Sequence, residues 1–307
     1  MKKLLLGSIL ILLFSGCVSF PPLWGGEGPK VKELPPDVIS IHNLTVLPST
    51  SVRDKDEFSI YFELLNQDEF NDITPTYNIY DTGLCTRVGG DPDISVSSTG
   101  SFDPASFSPK ETRLVEWIFK APSAEEIANI RTVCPIKFKF DFSYNATSMI
   151  DILVVEKSHL LELQRSGTGT TFVPTVNVGR GPIKIYFDFG AALPVKNNYD
   201  LPVYLLVEDK GTGLLREIES NKFKVTFPPD FTVPDGGDTC PFFNCVGRVC
   251  TNNEVIPLIN KKSLEIRCSG IKTPSTLSPG PEKTYFINAF IEYKYYTIGN
   301  VNVEVKP

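Results

Sequence analysis

Phe58, Ile60, Phe62 and Leu64 alternate with Ser59, Tyr61 and Glu63. Further along, Ile136, Phe138, Phe140, Phe142 and Tyr144 alternate with Lys137, Lys139, Asp141 and Ser143. A period of two marks strands that bury one face, so the chain is read as half-buried antiparallel sheet from Asp37 onward. Val38 to Leu47, Thr76 to Tyr80, Arg113 to Phe119 and Ile150 to Val155 add further strands, separated by turns such as Gly89-Gly90-Asp91-Pro92 and Ser108-Pro109. About seven strands in roughly 120 residues is the density of an antiparallel sandwich. One helix is predicted, over Ser123 to Ile130, where Glu126 three residues after Ser123 forms a capping box.

The second half carries a similar pattern. Phe58-Ser-Ile-Tyr-Phe-Glu63 returns as Ile183-Lys-Ile-Tyr-Phe-Asp188, and each half closes with a long aromatic strand and a short apolar one. The closing pairs are Ile136 to Tyr144 with Ile150 to Val155, and Tyr285 to Tyr295 with Val301, Val303 and Val305. Ser166-Gly-Thr-Gly-Thr170 reads as part of a linker. The predicted organisation is therefore all-β: a signal peptide over 1–16, a flexible stalk over 17–36, an immunoglobulin-like sandwich over 37–163, a linker over 164–170, and a second sandwich over 171–307. The second half is longer, and the Pro- and Cys-rich stretch 228–254 accounts for the excess as an insertion stapled by disulfides.

The amino terminus changes the picture most. Lys2 and Lys3 precede an apolar run from Leu4 to Phe14, and Ser15-Gly16-Cys17 supplies small residues ending in cysteine. That is the grammar of an export signal, and the run is too short and too broken by Gly and Ser for a spanning helix. Leu13-Phe14-Ser15-Gly16-Cys17 resembles the lipobox of prokaryotic lipoproteins, which implies lipidation at Cys17 and a membrane-anchored protein at the cell surface or in the periplasm. Pro21-Pro22 through Pro35-Pro36 then serves as a stalk, with Trp24 either at the membrane interface or on the domain.

Setting Cys17 aside leaves Cys85, Cys134, Cys240, Cys245, Cys250 and Cys268, an even number in an exported chain. Bridging within halves pairs Cys85 with Cys134 and leaves three connectivities open for the other four. A metal site at Cys240, Cys245 and Cys250 is the competing reading, weakened by gaps longer than those of compact zinc knuckles. The net charge of −6 becomes −8 once residues 1–16, with two lysines and no acid, are removed. Such a surface repels phosphate backbones, so nucleic acid is not an expected partner.

Leu201-Pro-Val-Tyr-Leu-Leu-Val207 followed by Glu208-Asp-Lys-Gly-Thr-Gly213 resembles the strand and glycine turn of CARDB-like immunoglobulin modules of archaeal and bacterial surface proteins. Phe58 to Asn66 resembles the same strand, with Gln67-Asp68-Glu69 where the glycine turn would stand. The resemblance implies tandem adhesive or spacing units.

Catalytic chemistry finds little purchase. His42 and His159 are the two histidines of the chain, too few for a multi-histidine metal site, and no Gly-x-Ser-x-Gly elbow accompanies them. Ser269-Gly-Ile-Lys272 matches a Ser-x-x-Lys pattern but follows a strand and carries Gly270, with Pro274 just beyond. Asp54, Asp56 and Glu57, and Asp68, Glu69 and Asp72, read as solvated loop acids. Together with Asp91, Asp93, Asp235 and Asp238 they offer oxygen ligands for Ca²⁺ but no calcium loop, and Gly167-Thr-Gly169 lacks the lysine of a phosphate loop. Asn43-Leu-Thr45 and Asn145-Ala-Thr147 are glycosylation sequons, Asn145 expected at a turn and Asn43 within a strand. The expectation is a lipid-anchored surface binding or spacer protein without catalytic activity or cofactor, held to the membrane by its lipid and contacting a protein or envelope polymer. The alternatives are an envelope-polymer hydrolase using paired carboxylates, and an assembly accessory pairing through a strand edge.

Overall fold

The computed structural model describes residues 37–91, 99–167, 172–237 and 239–307. The segments expected as signal peptide and stalk, with Cys17 and Trp24, and the residues Asp93, Asp238 and Gly169 lie outside the described residues. In the first half the strands are β1 (Ile39–Leu47), β2 (Ser51–Arg53), β3 (Glu57–Asn66), β4 (Thr76–Asp81), β5 (Thr86–Asp91), β6 (Thr99–Ser101), β7 (Thr112–Lys120) and β8 (Thr132–Val155). Helix α1 (Lys157–Ser166) follows. Next come β9 (Val176–Val178), β10 (Ile183–Phe189), β11 (Val195–Lys196), β12 (Val203–Asp209), β13 (Glu217–Ile218) and β14 (Phe223–Thr226). The chain ends with β15 (Phe243–Val246), β16 (Val249–Asn252), β17 (Ile256–Ile259), β18 (Lys262–Ser263), β19 (Ile266–Cys268) and β20 (Glu282–Lys306).

The fold is all-β and organised by two very long strands. β8 pairs antiparallel with β20 in unbroken register from Thr132↔Val305 to Val155↔Glu282. A straight strand of 24 residues spans roughly 80 Å. Along β8 the inward positions from Cys134 to Val154 are buried at every second residue, and the odd positions of β20 from Tyr285 to Tyr295 do the same. The closing strands expected as separate pairs in each half are thus one strand apiece. Between Tyr144 and Ile150 the inward places are held by Ala146 and Ser148, small enough to pack without interrupting the pleat. Asn145 accordingly lies in mid-strand opposite Glu292 rather than at a turn, with its side chain exposed.

This ribbon is the centre of a ten-stranded sheet. β4 continues it beyond β8, and β14, β16 and β15 continue it beyond β20. A four-stranded sheet, β1-β3-β7-β5, packs on one end through Phe62 and Trp117, whose rings lie 5.1 and 4.8 Å from that of Phe138. A six-stranded sheet around β10, β12, β18, β17 and β13 buries Val203, Leu205 and Val207. Residues 34–307 form one compact unit.

Several local expectations meet a different outcome. Ser123 and Glu126 do make the capping box, with Glu126 Oε2 accepting from the Ser123 N–H at 2.6 Å, yet the segment closes as successive turns because Ala128 and Asn129 take positive φ. Among the described residues the regular helix is α1, which buries none of its residues and occupies through Ser166 the start of the expected linker. The hexapeptides Phe58–Glu63 and Ile183–Asp188 fall on β3, flanked by β1 and β7, and on β10, which pairs with β12. The strand of the second half that matches β3 is β12, since each lies between two neighbours and each carries, at its last residue or two beyond it, an aspartate that accepts a buried tyrosine hydroxyl, Asp209 from Tyr295 and Asp68 from Tyr144.

The six cysteines form three disulfides. Cys85–Cys134 ties the turn after β4 to the start of β8, Cys245–Cys250 crosses the β15–β16 hairpin at directly opposed positions, and Cys240–Cys268 fastens that hairpin's approach to β19. The 228–254 stretch adds β15 and β16 to the edge of the ten-stranded sheet through β14, so it extends the frame besides being stapled to it.

Candidate functional site: a groove on the ribbon face

The core beneath the middle of the ribbon is aromatic. Tyr144 stands opposite Tyr293, and Phe142 opposite Tyr295, with ring centroids 6.2 and 5.8 Å apart. Burial pushes all three tyrosine hydroxyls up from their ordinary pKa, and for Tyr144 and Tyr295 the neighbouring carboxylates add to it. Between these pairs Ser143 faces Lys294, and both turn to the opposite, solvent side. There the alternation that fills the core produces a second surface: Lys139, Ser143, Lys294, Tyr296 and Ile298 all project from the outer face.

Two adjoining depressions occupy that surface. A groove of about 370 Å³ is lined by Ser143, Arg216, Glu217, Glu219, Lys222, Glu292, Lys294 and Tyr296, among others. A hollow of about 260 Å³ is lined by Tyr80, Lys139, Leu214, Arg216, Tyr296 and Ile298. Arg216 and Tyr296 belong to both. The wall carrying Arg216 is placed by backbone bonds: the N–H groups of Leu214 and Tyr296 each donate to the other's carbonyl, at 2.9 and 3.1 Å. Gly213 makes this approach possible, because a Cβ there would stand 2.1 Å from the Tyr296 carbonyl oxygen and 2.6 Å from the Tyr295 ring.

Charge in the groove is mostly matched. Lys222 Nζ lies 2.7 Å from Glu292 Oε1 and Lys294 Nζ 3.1 Å from Glu219 Oε1, the latter bond holding the Lys294 ammonium above its ordinary pKa. Lys139 pairs with Asp141 at 2.9 Å and lies 4.5 Å from the centre of the Tyr296 ring. Arg216 differs: its guanidinium makes no hydrogen bond or ion pair among the described residues, and it stands where the two depressions meet.

The residues singled out from sequence lie elsewhere. His42 is exposed on β1 with Nε2 2.8 Å from Ser40 Oγ, and His159 sits on α1 with Nδ1 3.7 Å from Glu162. Ser269 and Lys272 lie in a loop around Gly270, Lys272 bridging to Thr232 and Asp200. Asp54 and Asp56 accept backbone N–H groups of Ala124 and Arg53, and Asp235 accepts that of Gly247. Glu69 is bound by Arg180 and Lys110. Asp68 departs from the solvated-loop reading: it is buried and receives Tyr144 and the N–H groups of Phe70 and Asn71. Asn43 occupies a bulge of β1 at φ 53°, where its amide donates to Glu63 at 2.9 Å. The Cys240, Cys245 and Cys250 sulfurs lie within 4.8 Å of one another, but all three are committed to disulfides. Among the described residues no helix is long and apolar enough to cross a membrane.

The groove itself has a faint sequence signature. Tyr293-Lys-Tyr-Tyr296 places two aromatic rings on the core side and leaves Lys294 and Tyr296 outside, while Arg216 follows the Gly211-Thr-Gly213 turn. No protein-family model matches this chain, and no curated protein matches it.

Proposed function

We propose that the protein is a lipid-anchored surface binding protein, exported and tethered through Cys17, which uses the central face of the β8–β20 ribbon to hold a cell-envelope partner. The observation that carries this reading is the groove and hollow sharing Arg216, whose guanidinium is unengaged while the lysines of both depressions are each paired with a carboxylate. A surface built of paired side chains on a cross-braced sheet is preorganised, which lowers the cost of ordering it around a ligand. Disulfide bracing suits an oxidising location outside the cytoplasm. The test is a photoreactive residue at Glu217 in intact cells. A covalently attached envelope component of constant composition is the expected product, and attachment to nothing above background removes the proposal.

One observation favours a second reading, a hydrolase of envelope polymers: Glu217, Glu219 and Glu292 line the same groove. Glu219 and Glu292 are each bound by a lysine, which leaves Glu217 to act. Appearance of new chain ends in an envelope polymer incubated with the protein, lost in Glu217→Gln, would establish it.

A further inference from the structure

We infer that the hollow between Tyr80 and Arg216 is a subsite for a carboxylated sugar unit of an acidic polysaccharide, with the neighbouring groove taking adjacent units of the same chain. This rests on the surface-binding reading above and names its ligand class.

Charge gives the first argument. The chain as a whole is acidic at −6, yet the hollow is lined by two cations and no carboxylate. One of them, Lys139, is engaged by Asp141 and the Tyr296 ring. Arg216 is left, and a guanidinium presents a planar fork that fits a carboxylate with two parallel hydrogen bonds. Shape gives the second argument. Tyr80 is 51% exposed and Ile298 47% exposed, and with Leu214 and Tyr296 they give the hollow an apolar lining beside the cation. A sugar acid has this same combination of an apolar ring face and a charged edge. The hollow's 260 Å³ falls just below the usual range of ligand pockets, ~300 to 1,000 Å³, as suits one unit of a polymer. Its continuity with the 370 Å³ groove through Arg216 and Tyr296 provides room for the next unit, where Glu219 and Glu292 are already paired with Lys294 and Lys222 and Glu217 is, among the described residues, the one unengaged acid of the lining.

The backbone argues for a glycan over an acidic peptide. Peptides bound on sheets draw on unpaired main-chain groups at an edge. Here Tyr296 exchanges both its bonds with Leu214, β20 is paired with β8, and β4 is paired with β8. The ligand must therefore be held by side chains, which a sugar's carboxylate and hydroxyls satisfy and an extended peptide backbone does not.

The test uses the full chain in detergent micelles and three probes: polygalacturonate, the same polymer with its carboxyls reduced to alcohols, and poly-glutamate. Calorimetry should show binding to polygalacturonate that weakens about tenfold or more on carboxyl reduction and equally in Arg216→Ala, with Arg216→Lys intermediate and Tyr80→Ala weaker than the parent. Both side chains are exposed, and unchanged thermal midpoints will show that the variants fold. Equal binding of the reduced polymer, indifference to Arg216→Ala, or poly-glutamate binding as tightly as the polyuronate would each overturn the inference. So would absence of polygalacturonate binding; if Glu217-directed cross-linking in cells still captured a partner, the surface-binding reading would stand without this ligand.

Discussion

The hydroxyl of Tyr295 donates to the carboxylate of Asp209 at 2.8 Å, with both side chains buried. Tyr144 makes the corresponding bond to Asp68 from the other long strand, and the register relates the two sites: Tyr144 faces Tyr293, two residues before Tyr295, and Tyr295 faces Phe142, two before Tyr144. The centre of the ribbon is thus an approximate twofold, with an aspartate and tyrosine bond fastening a flanking sheet on each side.

The two acids titrate in opposite senses. Burial dominates at Asp209 and raises its pKa above the ordinary 3.8 despite bonds from Tyr295, Gly211 and Leu215. At Asp68 burial also pushes upward, but the bonds from Tyr144, Phe70 and Asn71 together outweigh it and leave the pKa lowered. A raised acid contributes stability at low pH that is lost as pH rises from 3.8 through the folded-state value; a lowered one contributes stability above 3.8 that is lost as pH falls through its folded-state value. Denaturation of Asp209→Asn across pH should therefore show the parent losing ground to the variant as pH rises from 3.8, and Asp68→Asn should show the parent losing ground as pH falls below 3.8. Parallel curves for parent and variant in either case would contradict the assignment.

The Cys85–Cys134 bond spans 49 residues. In the chain-entropy account a loop of that length stabilises by on the order of 4 kcal/mol. Cys85→Ser with Cys134→Ser should lower the unfolding free energy by about that amount in denaturant titration, with the m-value rising because the unfolded chain expands. A loss below about 1 kcal/mol would mean that the bridge constrains little in the unfolded chain.

Much of the frame was legible because burial imposes a period of two wherever one sheet face is covered. Phe58 to Leu64 and Ile136 to Tyr144 announce their strands, and cysteine parity announces three bridges. Connectivity among the last four was not legible, since it follows from Cys245 and Cys250 meeting across a hairpin. Strand continuity through Ala146 and Ser148 was hidden by their small size, and the pairing of Ile136 with Val301 joins positions too far apart for any local pattern. The groove was least legible of all, since Tyr80, Arg216 and Tyr296 come from three distant segments and meet only once the ribbon exists.

Gly213 links core and groove. A methyl group there would collide with the Tyr296 carbonyl and the Tyr295 ring, and neither can retreat without moving β20. Gly213→Ala should cost about 1 to 3 kcal/mol and displace the Leu214 to Arg216 wall. Thermal melting and the chemical shifts of Tyr296 and Ile298 would check both halves of that expectation; an unshifted Tyr296 amide would count against it.

The proposed anchor makes its own prediction. Cys17→Ser should abolish acyl labelling and either release the protein to the soluble fraction or leave it unprocessed. Mutant protein that stays membrane-bound and is processed as the parent would rule out lipidation at Cys17.

The ribbon also bears on whether the sequence divisions 37–163 and 171–307 can behave as separate units. β8 belongs to the first and β20 to the second, yet they pair over their whole length, and β2 of the first half pairs with residues Glu304 to Lys306 of the second. Separating the halves would leave one edge of each long strand unpaired along its whole length and remove the cross-strand ring contacts of Tyr144 with Tyr293 and Phe142 with Tyr295. At roughly 25 cal/mol per Å² of apolar surface, a fully buried aromatic is worth on the order of 2 to 3 kcal/mol, so partial exposure of these four rings together with loss of the strand ladder is comparable with the net stability of an ordinary domain. The intact chain should therefore melt in one cooperative transition, with fluorescence and circular dichroism tracing the same curve. Each half expressed alone should show no cooperative melt, and mixing the two should restore it. Two resolved transitions in the intact chain, or a sharp melt from either half alone, would show that the sandwiches are independent and that the ribbon is only their contact.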